Sequence, residues 1–334
     1  MTELDLEYIK NLIAEDLETC LKKIGVYYRI VSRTKSMHSI EKKMAAKQES
    51  YARNEDKMQD VIGIRLILYF FDDVEIVASI IREHFDCIKQ SESNSIDDIK
   101  KYANLPEEIK RKIKIDDLED KVFMPTRLNL VARINGKYQE SFKAEIESTL
   151  PKYKDYVDTT YEIQIRTILS EGWHEVEHDL RYKTRNEKWW GSCAEESRML
   201  NGVMATLETS ERAMNNIFAN IAYKNYKSGE WSAMVRNHIR LRTQDLALSN
   251  DVEGVFADNK TLAKAFLKFN RGKIMKALHT IKSKYPLTLD NIVFLFNRLG
   301  EHNEILLQLE PMAIKKALDT SFNSGEKSEI GIGK

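Results

Sequence analysis

The apolar and polar positions along the chain predict a first part that mixes strands with helices and a second part made of helices alone. Residues 3–24 carry apolar side chains at helical spacing, and Gly25 follows as a natural end for that helix. Residues 61–70 form a continuous apolar run of strand length that is rich in isoleucine, as in a central strand. Two shorter runs, 127–134 and 159–167, are further strand candidates.

Helical patterns flank these strands. Asp72 is predicted to cap a helix that extends to about Phe85. A basic stretch, 33–47, enters a second helix near Ser39, and the helical period returns over 168–183. This order of elements predicts an α/β (α+β) domain in which helices flank a small mixed sheet.

The remaining segments are either polar or helical. Residues 91–121 are predicted to form a mobile connection with a short helix after Pro106, and the charged segment 137–156 is predicted to be an insertion. Towards the C-terminus the strand patterns stop and helices follow one another. We therefore expect an α/β domain over 1–190 and an all-helical extension over 191–334 that regulates the first domain or joins copies of the chain.

Composition narrows the class of protein. Lysine plus arginine and aspartate plus glutamate number 52 each, so the formal net charge is zero. This balance argues against a protein that coats nucleic acid, but it leaves a local basic groove open. The cysteines, Cys20, Cys87 and Cys193, lie far apart, and neither a secretion signal nor a membrane-length apolar run is evident. We expect a cytoplasmic protein without a membrane partner.

Acidic and basic side chains accompany two of the strand candidates. In the last candidate, Glu162, Gln164 and Arg166 alternate with isoleucines and so share one face of the strand. Asp60 stands directly before the long apolar run, and Arg65 lies within it. An aspartate and a glutamate on neighbouring strands, both near arginines, can hold Mg²⁺ between them. The alternative is a solvated sheet face with a turn aspartate.

A basic group of residues precedes these strands. Arg33 and Lys35 are expected to project together from an extended lead-in, while Ser39 and Lys43 share one helical face because they are four apart. Three cations and a hydroxyl can bind a triphosphate in a chain that has no Gly-rich P-loop. The alternative is an ordinary basic, solvated helix face.

Four motifs in this order resemble the RelA/SpoT synthetase family, the alarmone synthetases. They are R-x-K-x-x-x-S-I-x-x-K at 33–43, D-x-I-G-I-R at 60–65, E-I-Q-I-R-T at 162–167 and W-x-x-x-E-H-D-L-x-Y-K at 173–183. The resemblance, to the small single-synthetase type with a helical extension, implies a nucleotidyltransferase-like fold. It also implies transfer of the β,γ-pyrophosphate of ATP to a 3′-hydroxyl.

The resemblance also implies roles for single residues. Asp60 resembles the magnesium ligand, where Mn²⁺ can replace Mg²⁺, and Glu162 resembles a second carboxylate that helps to hold the metal or activates the acceptor hydroxyl. The residues that resemble the ATP contacts are Arg33, Lys35, Ser39, Lys43 and Lys183. The residues that resemble supporting catalytic residues are Arg65, Gln164, Arg166 and His178.

One segment departs from the family pattern and leaves the acceptor open. The family usually has Y-x-S-x-H after the central loop, and its tyrosine stacks on the guanine of the acceptor. Here Pro125 and Asn129 stand at the places of the tyrosine and the histidine. The acceptor is therefore a guanine nucleotide such as GDP or GTP, another purine nucleotide, or the 3′ end of a tRNA. A catalytically silent module that binds a nucleotide or a protein is the alternative from another class, and a homo-oligomer stays open.

A competing motif overlaps the last of the four. The segment from His174 to His178 spells H-E-x-x-H, the signature of zinc hydrolases, with Glu175 beside the two histidines on a helix. The synthetase pattern accounts for the same residues, which makes zinc hydrolysis a remote alternative.

Overall fold

The computed structural model describes residues 5–52, 57–93, 127–176, 180 and 193–322. Within these residues five strands form one sheet: β1 (Tyr28–Thr34), β2 (Ile62–Leu68), β3 (Cys87–Ser93), β4 (Arg127–Arg133) and β5 (Thr160–Thr167). The strand order is β1–β2–β5–β4–β3. The pair β2–β5 is parallel and every other neighbouring pair is antiparallel, which confirms the predicted mixed sheet.

Five helices belong to the same part of the chain as the sheet. They are α1 (Leu6–Ile24), α2 (Met37–Ala52), α3 (Asp73–His84), α4 (Gly136–Thr149) and α5 (Ile168–Val176). Helix α3 buries Val74, Val77, Ile80 and Ile81 and contacts β5. The helical spacing of these four apolar residues explains why this segment forms a helix with one buried side.

The two faces of the sheet differ in chemistry. On one face the ladder pairs Ile64 with Ile163 and Leu66 with Ile165, and all four side chains are buried. The opposite face carries arginine, glutamate and glutamine side chains at the alternate positions of β2 and β5. Because successive side chains of a strand point to opposite faces, the alternation of these two strands alone places the core on one face and the polar chemistry on the other.

Residues 193–322 contain helices and no strand, as predicted. These helices are α6 (Ala194–Ser228), α7 (Trp231–Ile239), α8 (Asn250–Asp258), α9 (Lys260–Lys268), α10 (Arg271–Thr280), α11 (Leu289–Phe296), α12 (Glu304–Leu309) and α13 (Met312–Phe322). Aromatic rings join α8, α9 and α11, since the centroids of Phe256 and Phe266 are 5.9 Å apart and those of Phe266 and Phe296 are 5.0 Å apart. These separations are typical of packed aromatic cores.

The chain divides by contacts into two compact units. The first comprises Met1–Thr19 and Tyr28–Asn215, and the second comprises Cys20–Tyr27 and Asn216–Lys334. The predicted division into domains at residue 190 concerns folding and function, and it stays a prediction. Within the described residues, no helix is long and apolar enough to cross a membrane.

Three local elements of the structure were not predicted from the sequence. The predicted insertion at 137–156 contains helix α4, which was missed because it buries only Phe142 and Ile146 and is charged elsewhere. Strands β1 and β3 were also missed, because both are edge strands whose many polar residues hide the alternation. Asp72 occupies the N-cap position of α3, as predicted, but its side chain makes no capping hydrogen bond.

Candidate active site

Asp60 receives two ammonium groups at the point where the chain enters β2. Lys35 Nζ lies 2.5 Å from Asp60 Oδ2, and Lys43 Nζ lies 2.8 Å from Asp60 Oδ1. Lys35 directly follows β1, where its backbone N–H donates to the carbonyl of Val61 at 2.8 Å, and Lys43 lies on α2. The antiparallel pairing of β1 with β2 therefore brings the basic lead-in segment onto this aspartate.

The charges of this cluster are set by burial and by hydrogen bonds. Burial raises the pKa of Asp60, but the hydrogen bonds and charges of Lys35 and Lys43 outweigh it and lower the pKa below its ordinary value. Burial lowers the pKa of Lys35 more than Asp60 raises it. Asp60 is consequently ionised throughout the neutral range.

A pocket of about 280 Å³ opens beside this cluster on the polar face of the sheet. Its charged and amide lining residues are Arg33, Lys35, Asp60, Arg65, Glu162, Gln164 and Glu175. The structure thus brings together six residues that the synthetase motifs predicted for the site, and it adds Glu175, which the sequence offered only within the zinc-hydrolase motif.

The strand register explains why these side chains meet. In the ladders, Arg33 lies opposite Gly63, and Gly63 lies opposite Glu162 on the other side. The next row on the same face joins Arg65 to Gln164. Because neighbouring strands are about 4.8 Å apart, residues in one row can contact the same small ligand.

Hydrogen bonds hold the acidic side of the pocket in place. Gln164 Nε2 donates to Glu162 Oε2 at 2.7 Å, and Arg166 Nη2 donates to Gln164 Oε1 at 2.9 Å. Arg166 is buried, and its hydrogen bond holds the amide of Gln164 in place. Gln164 in turn orients the carboxylate of Glu162, which is more exposed. The three polar residues of β5 therefore act as one chain of hydrogen bonds rather than as separate surface groups.

Helix α5 supplies the acidic partners at the other end of this chain of hydrogen bonds. Glu171 accepts hydrogen bonds from both Arg166, at 2.8 Å, and Arg65. Arg65 also pairs with Glu175, one turn further along α5. Two arginines on two strands are thus held in fixed positions by two glutamates on one helix.

The start of α5 is itself capped. Thr167 Oγ1 accepts from the backbone N–H of Ser170 at 3.3 Å, and Ser170 Oγ accepts from the N–H of Thr167 at 3.1 Å, which is the reciprocal pattern of a capping box. Thr167 Oγ1 also donates to Glu211 Oε1, a buried carboxylate on α6. Burial raises the pKa of Glu211, although Thr167 and the N–H groups of Ser170 and Leu169 partly offset that rise.

Of the predicted site residues that the structure describes, Lys43, Arg166 and Ser39 are not among the residues that line this pocket. Ser39 is exposed on α2, where its Oγ lies 2.9 Å from Ser36 Oγ, and it is not among the lining residues. His178 and Lys183 lie outside the described residues, and so does Pro125. Asn129 pairs with Gln164 in the ladder between β4 and β5.

The zinc-hydrolase motif lies only partly within the described residues. His174 is buried, and Glu175 is engaged with Arg65. Because His178 lies outside the described residues, the remote zinc alternative stays untested.

Sequence reasoning missed several residues that organise the site. Glu171 and Glu211 gave no local signal, because each is recognised only through a partner distant in the chain. A readable signal existed for Thr167, since T-x-x-S before a helix is a variant of the capping-box pattern.

Comparisons with known proteins agree with these motifs. Residues 32–187, a little under half of the chain, match the family model described as "Region found in RelA / SpoT proteins". GTP pyrophosphokinase YwaC of Bacillus subtilis (strain 168) is 27% identical over 158 residues, which are 47% of this chain and 59% of that protein. The match therefore spans less than two thirds of this curated relative.

Solved structures of similar proteins include a GTP pyrophosphokinase family protein from Streptococcus pneumoniae, at 20% identity and a TM-score of 0.40 over 62% of this chain and 84% of that chain. They also include small alarmone synthetase 1 from Bacillus subtilis, at 21% identity and a TM-score of 0.39 over 63% of this chain and 92% of that chain. The segment that matches the family model contains every residue that lines the pocket except Val31. Residues 32–187 of this chain are therefore similar to the RelA/SpoT family.

Proposed function

We propose that this chain is a (p)ppGpp synthetase-like pyrophosphotransferase, which moves the β,γ-pyrophosphate of ATP to the 3′-hydroxyl of a nucleotide. The observation that carries the proposal is the pocket of the RelA/SpoT segment, where Asp60 and Glu162 lie among Arg33, Lys35 and Arg65. Pyrophosphoryl transfer requires charge neutralisation and alignment more than a covalent nucleophile, and this set of residues supplies both.

The cations of the pocket suit a triphosphate donor. Among the described residues Arg33 makes no ion pair, so its guanidinium is available to phosphate oxygens. Lys35 and Lys43 neutralise Asp60, and on nucleotide binding they would exchange this carboxylate for phosphate oxygens. A ligand of high negative charge thus has several cations within reach of one face of the sheet.

The two carboxylates fit a divalent cation. Mg²⁺ and Mn²⁺ prefer oxygen ligands, and Asp60 and Glu162 both line the pocket and offer carboxylate oxygens. Asp60 and Glu162 would hold the ion, which would neutralise the triphosphate and align it for in-line displacement.

The reaction then needs one bond made and one broken. The 3′-oxygen of the acceptor forms a bond to the β-phosphorus of ATP, the bond between that phosphorus and the α,β-bridging oxygen breaks, and AMP leaves. Glu162, oriented by Gln164, takes the proton of the acceptor hydroxyl. The buried guanidinium of Arg166 keeps Gln164 in that orientation.

The acceptor we propose is GDP or GTP. The curated relative is named a GTP pyrophosphokinase, which favours a guanine nucleotide. Because Pro125 and Asn129 replace the family's tyrosine and histidine, adenine nucleotides and the 3′ end of tRNA belong in the test as separate acceptors.

The test is incubation of the protein with Mg²⁺ and γ-labelled ATP beside GDP, GTP, ADP, AMP and bulk tRNA. We expect label on a guanine nucleotide together with release of AMP, since transfer of a single phosphate would release ADP instead. Label on tRNA alone would change the acceptor and keep the chemistry. Binding of ATP without label on any acceptor would favour the silent module.

Two variants and a control test whether turnover depends on the carboxylates of the pocket. Asp60→Asn and Glu162→Gln are each expected to lower turnover by about 100-fold or more, because each removes a charge that the transferring group requires. Circular dichroism should show that both variants remain folded. Glu140→Gln, a change of the same kind at an exposed position of α4, should retain full activity. Full activity in Glu162→Gln would contradict the proposal.

Some expectations about the whole protein stay predictions. They are a location in the cytoplasm, tRNA as a partner, a homo-oligomer, and a regulatory or oligomerising role for the helical extension.

A further inference from the structure

Gly63 is an unusual residue for its place in the sheet. Strand β2 has a neighbour on each side, and its other residues include the strand formers Ile62, Ile64 and Ile67. A glycine inside a strand weakens it, because the unfolded chain gains entropy and no side chain packs. Such a glycine usually marks a bulge, a backbone angle closed to other residues, or the close approach of another group.

The fold itself requires no glycine at this position. The ladders continue through Gly63 without a register shift on either side. The described glycines with positive φ are Gly25 and Gly229, so the backbone angle of Gly63 suits any residue. A Cβ built on Gly63 would have one neighbour within 4 Å, the Arg33 Cγ at 4.0 Å. Bulge, backbone strain and crowding by the protein are therefore all excluded as reasons for the glycine.

The space that a side chain would fill belongs to the pocket. Gly63 is a lining residue of the 280 Å³ pocket, and in the ladder it separates Arg33 from Glu162. The missing side chain thus leaves the strand backbone bare between a cation that makes no ion pair among the described residues and a carboxylate. The close approach that this glycine permits is that of a ligand.

We propose that Gly63 is the floor of the nucleotide pocket, where its missing side chain lets the phosphates of a nucleoside triphosphate lie against the strand between Arg33 and Glu162. The identity of the ligand rests on the proposed function, whereas the steric argument rests on the glycine alone. Side-chain size at position 63 then determines how close the phosphates come to Glu162. A larger side chain should weaken nucleotide binding, whereas it should keep or raise the stability of the fold.

The test is a size series on the full chain, Gly63→Ala and Gly63→Val. Binding of a non-hydrolysable ATP analogue with Mg²⁺ is measured by calorimetry, kcat and KM by the labelled-ATP assay, and Tm by circular dichroism. We expect graded losses, with weaker binding in Gly63→Ala and a fall of about 100-fold in kcat/KM in Gly63→Val, since displacing the reacting groups by about 1 Å costs that much. The Tm of both variants should equal or exceed that of the unaltered protein, because each replaces glycine by a better strand former.

Gly136→Ala is the matched control. Gly136 is exposed at the start of α4, and a Cβ there would meet nothing within 4 Å. This variant should bind the analogue and turn over as the unaltered protein does.

Three outcomes would overturn the inference. The first is unchanged analogue binding and turnover in Gly63→Val. The second is a marked fall of Tm in Gly63→Ala, which would show that the fold needs the glycine. The third is an unaltered protein that binds no nucleotide, which would leave the pocket without the proposed ligand. Nucleotide binding without turnover in the unaltered protein would refute the proposed function only. The binding affinities of the size series would then still decide the role of Gly63.

Discussion

At the scale of single residues, Asp60 shows how the surroundings of a side chain fix its charge. Its carboxylate is three-quarters covered and has an ammonium group on each oxygen. A carboxylate buried without partners would be protonated more easily, but here Lys35 and Lys43 reverse that effect and lower its pKa. The sequence showed the basic segment and the aspartate but not that they neutralise each other.

The lowered pKa of Asp60 predicts a dependence of stability on pH. A carboxyl group whose pKa is lowered by folding contributes stability above its ordinary pKa of 3.8, and this contribution is lost as pH falls through the folded value. At neutral pH, Asp60→Asn should lower the free energy of unfolding by about 1–3 kcal/mol, because Lys35 and Lys43 lose their charged partner. Urea unfolding of both proteins from about pH 6 to about pH 3 should show the difference shrinking with acidity. A difference that stays constant would contradict this account.

Gln164 is the residue through which the buried part of the site orients the exposed part. Its amide donates to Glu162 and accepts from Arg166, so Gln164→Leu removes both hydrogen bonds and replaces the amide by a shorter apolar side chain. We expect kcat to fall by about 10- to 100-fold, because Glu162 loses its fixed orientation, while the KM for ATP changes little. Steady-state kinetics with ATP and the guanine acceptor measures both constants.

Gln308→Leu is the control for this change, since Gln308 is exposed on α12. It should leave kcat unchanged. An unchanged kcat in Gln164→Leu would show that Glu162 needs no orientation by its neighbour.

At the scale of elements, α5 is stabilised from both of its ends and from another helix. Its capping box closes the first turn, and its glutamates hold two arginines of the sheet. Glu211 on α6 accepts from Thr167 at the N-terminal end of α5, where a helix favours negative charge. The site therefore depends on contacts between elements that are distant in the chain.

Glu211 predicts a pH dependence of opposite sign to that of Asp60. Burial raises its pKa, and a carboxyl group of raised pKa contributes stability that is present below the ordinary value of 4.5 and is lost as pH rises through the folded value. Glu211→Gln cannot ionise and keeps an oxygen that can accept from Thr167. Relative to the unaltered protein, this variant should therefore gain stability as pH rises from about 4.5 to about 7.5, which denaturant unfolding at the two pH values would measure.

The control for this prediction is Glu140→Gln, because Glu140 is exposed. Plots of stability against pH for this variant and for the unaltered protein should run parallel. Parallel curves for Glu211→Gln as well would refute a raised pKa for Glu211.

How much of the fold could be predicted depends on where each element lies. The interior strands β2 and β5 have uninterrupted or strictly alternating apolar residues, and the sequence located both. Among the described strands, β1 and β3 pair on one side only, so polar residues are tolerated and the alternating pattern is lost. Helix α4 was missed for a similar reason, since Phe142 and Ile146 are its only buried side chains.

The candidate site divides in the same way. The motif residues of β5 were expected to share one face, and the hydrogen bonds from Glu162 through Gln164 to Arg166 follow from strand alternation. The pairing of Arg65 with Glu171 could not be foreseen, because the two residues are 106 positions apart and the packing of α5 decides it. Local periodicity predicts faces, whereas tertiary packing chooses partners.

At the scale of the whole molecule, the second compact unit begins inside the first helix. Residues Cys20–Tyr27 cluster with the helices that follow Asn216. Within this unit the N–H of Arg242 donates to the carbonyl of Gly25 at 2.6 Å, and the guanidinium of Arg242 lies 5.2 Å from the ring centroid of Tyr27. The helical unit is therefore completed by a segment from near the N-terminus, which no composition boundary near residue 190 would indicate.

Gly25 provides a test of this assignment. Its φ is +73°, and a Cβ on it would lie 2.9 Å from Leu287 Cδ1 and 3.5 Å from the carbonyl oxygen of Arg242. Gly25→Ala therefore combines left-handed backbone strain of about 1–2 kcal/mol with about 1–3 kcal/mol of overpacking. Gly229→Ala is the matched control, because Gly229 has a φ of +80° but its Cβ would meet only Trp231 Cζ2, at 3.8 Å.

Both glycines belong to the second unit and both have a positive φ, so the two variants share the backbone strain. They differ in the steric clash with Leu287, which only Gly25→Ala would make. Thermal unfolding followed by circular dichroism should show a larger loss of Tm for Gly25→Ala than for Gly229→Ala. The fluorescence of Trp231, which lies in the second unit, can be followed in a chain whose other tryptophans are replaced by phenylalanine. If it reports the same transition, the loss belongs to the helical unit although Gly25 is close to the N-terminus. Equal losses in the two variants would contradict close packing of Gly25 against Leu287.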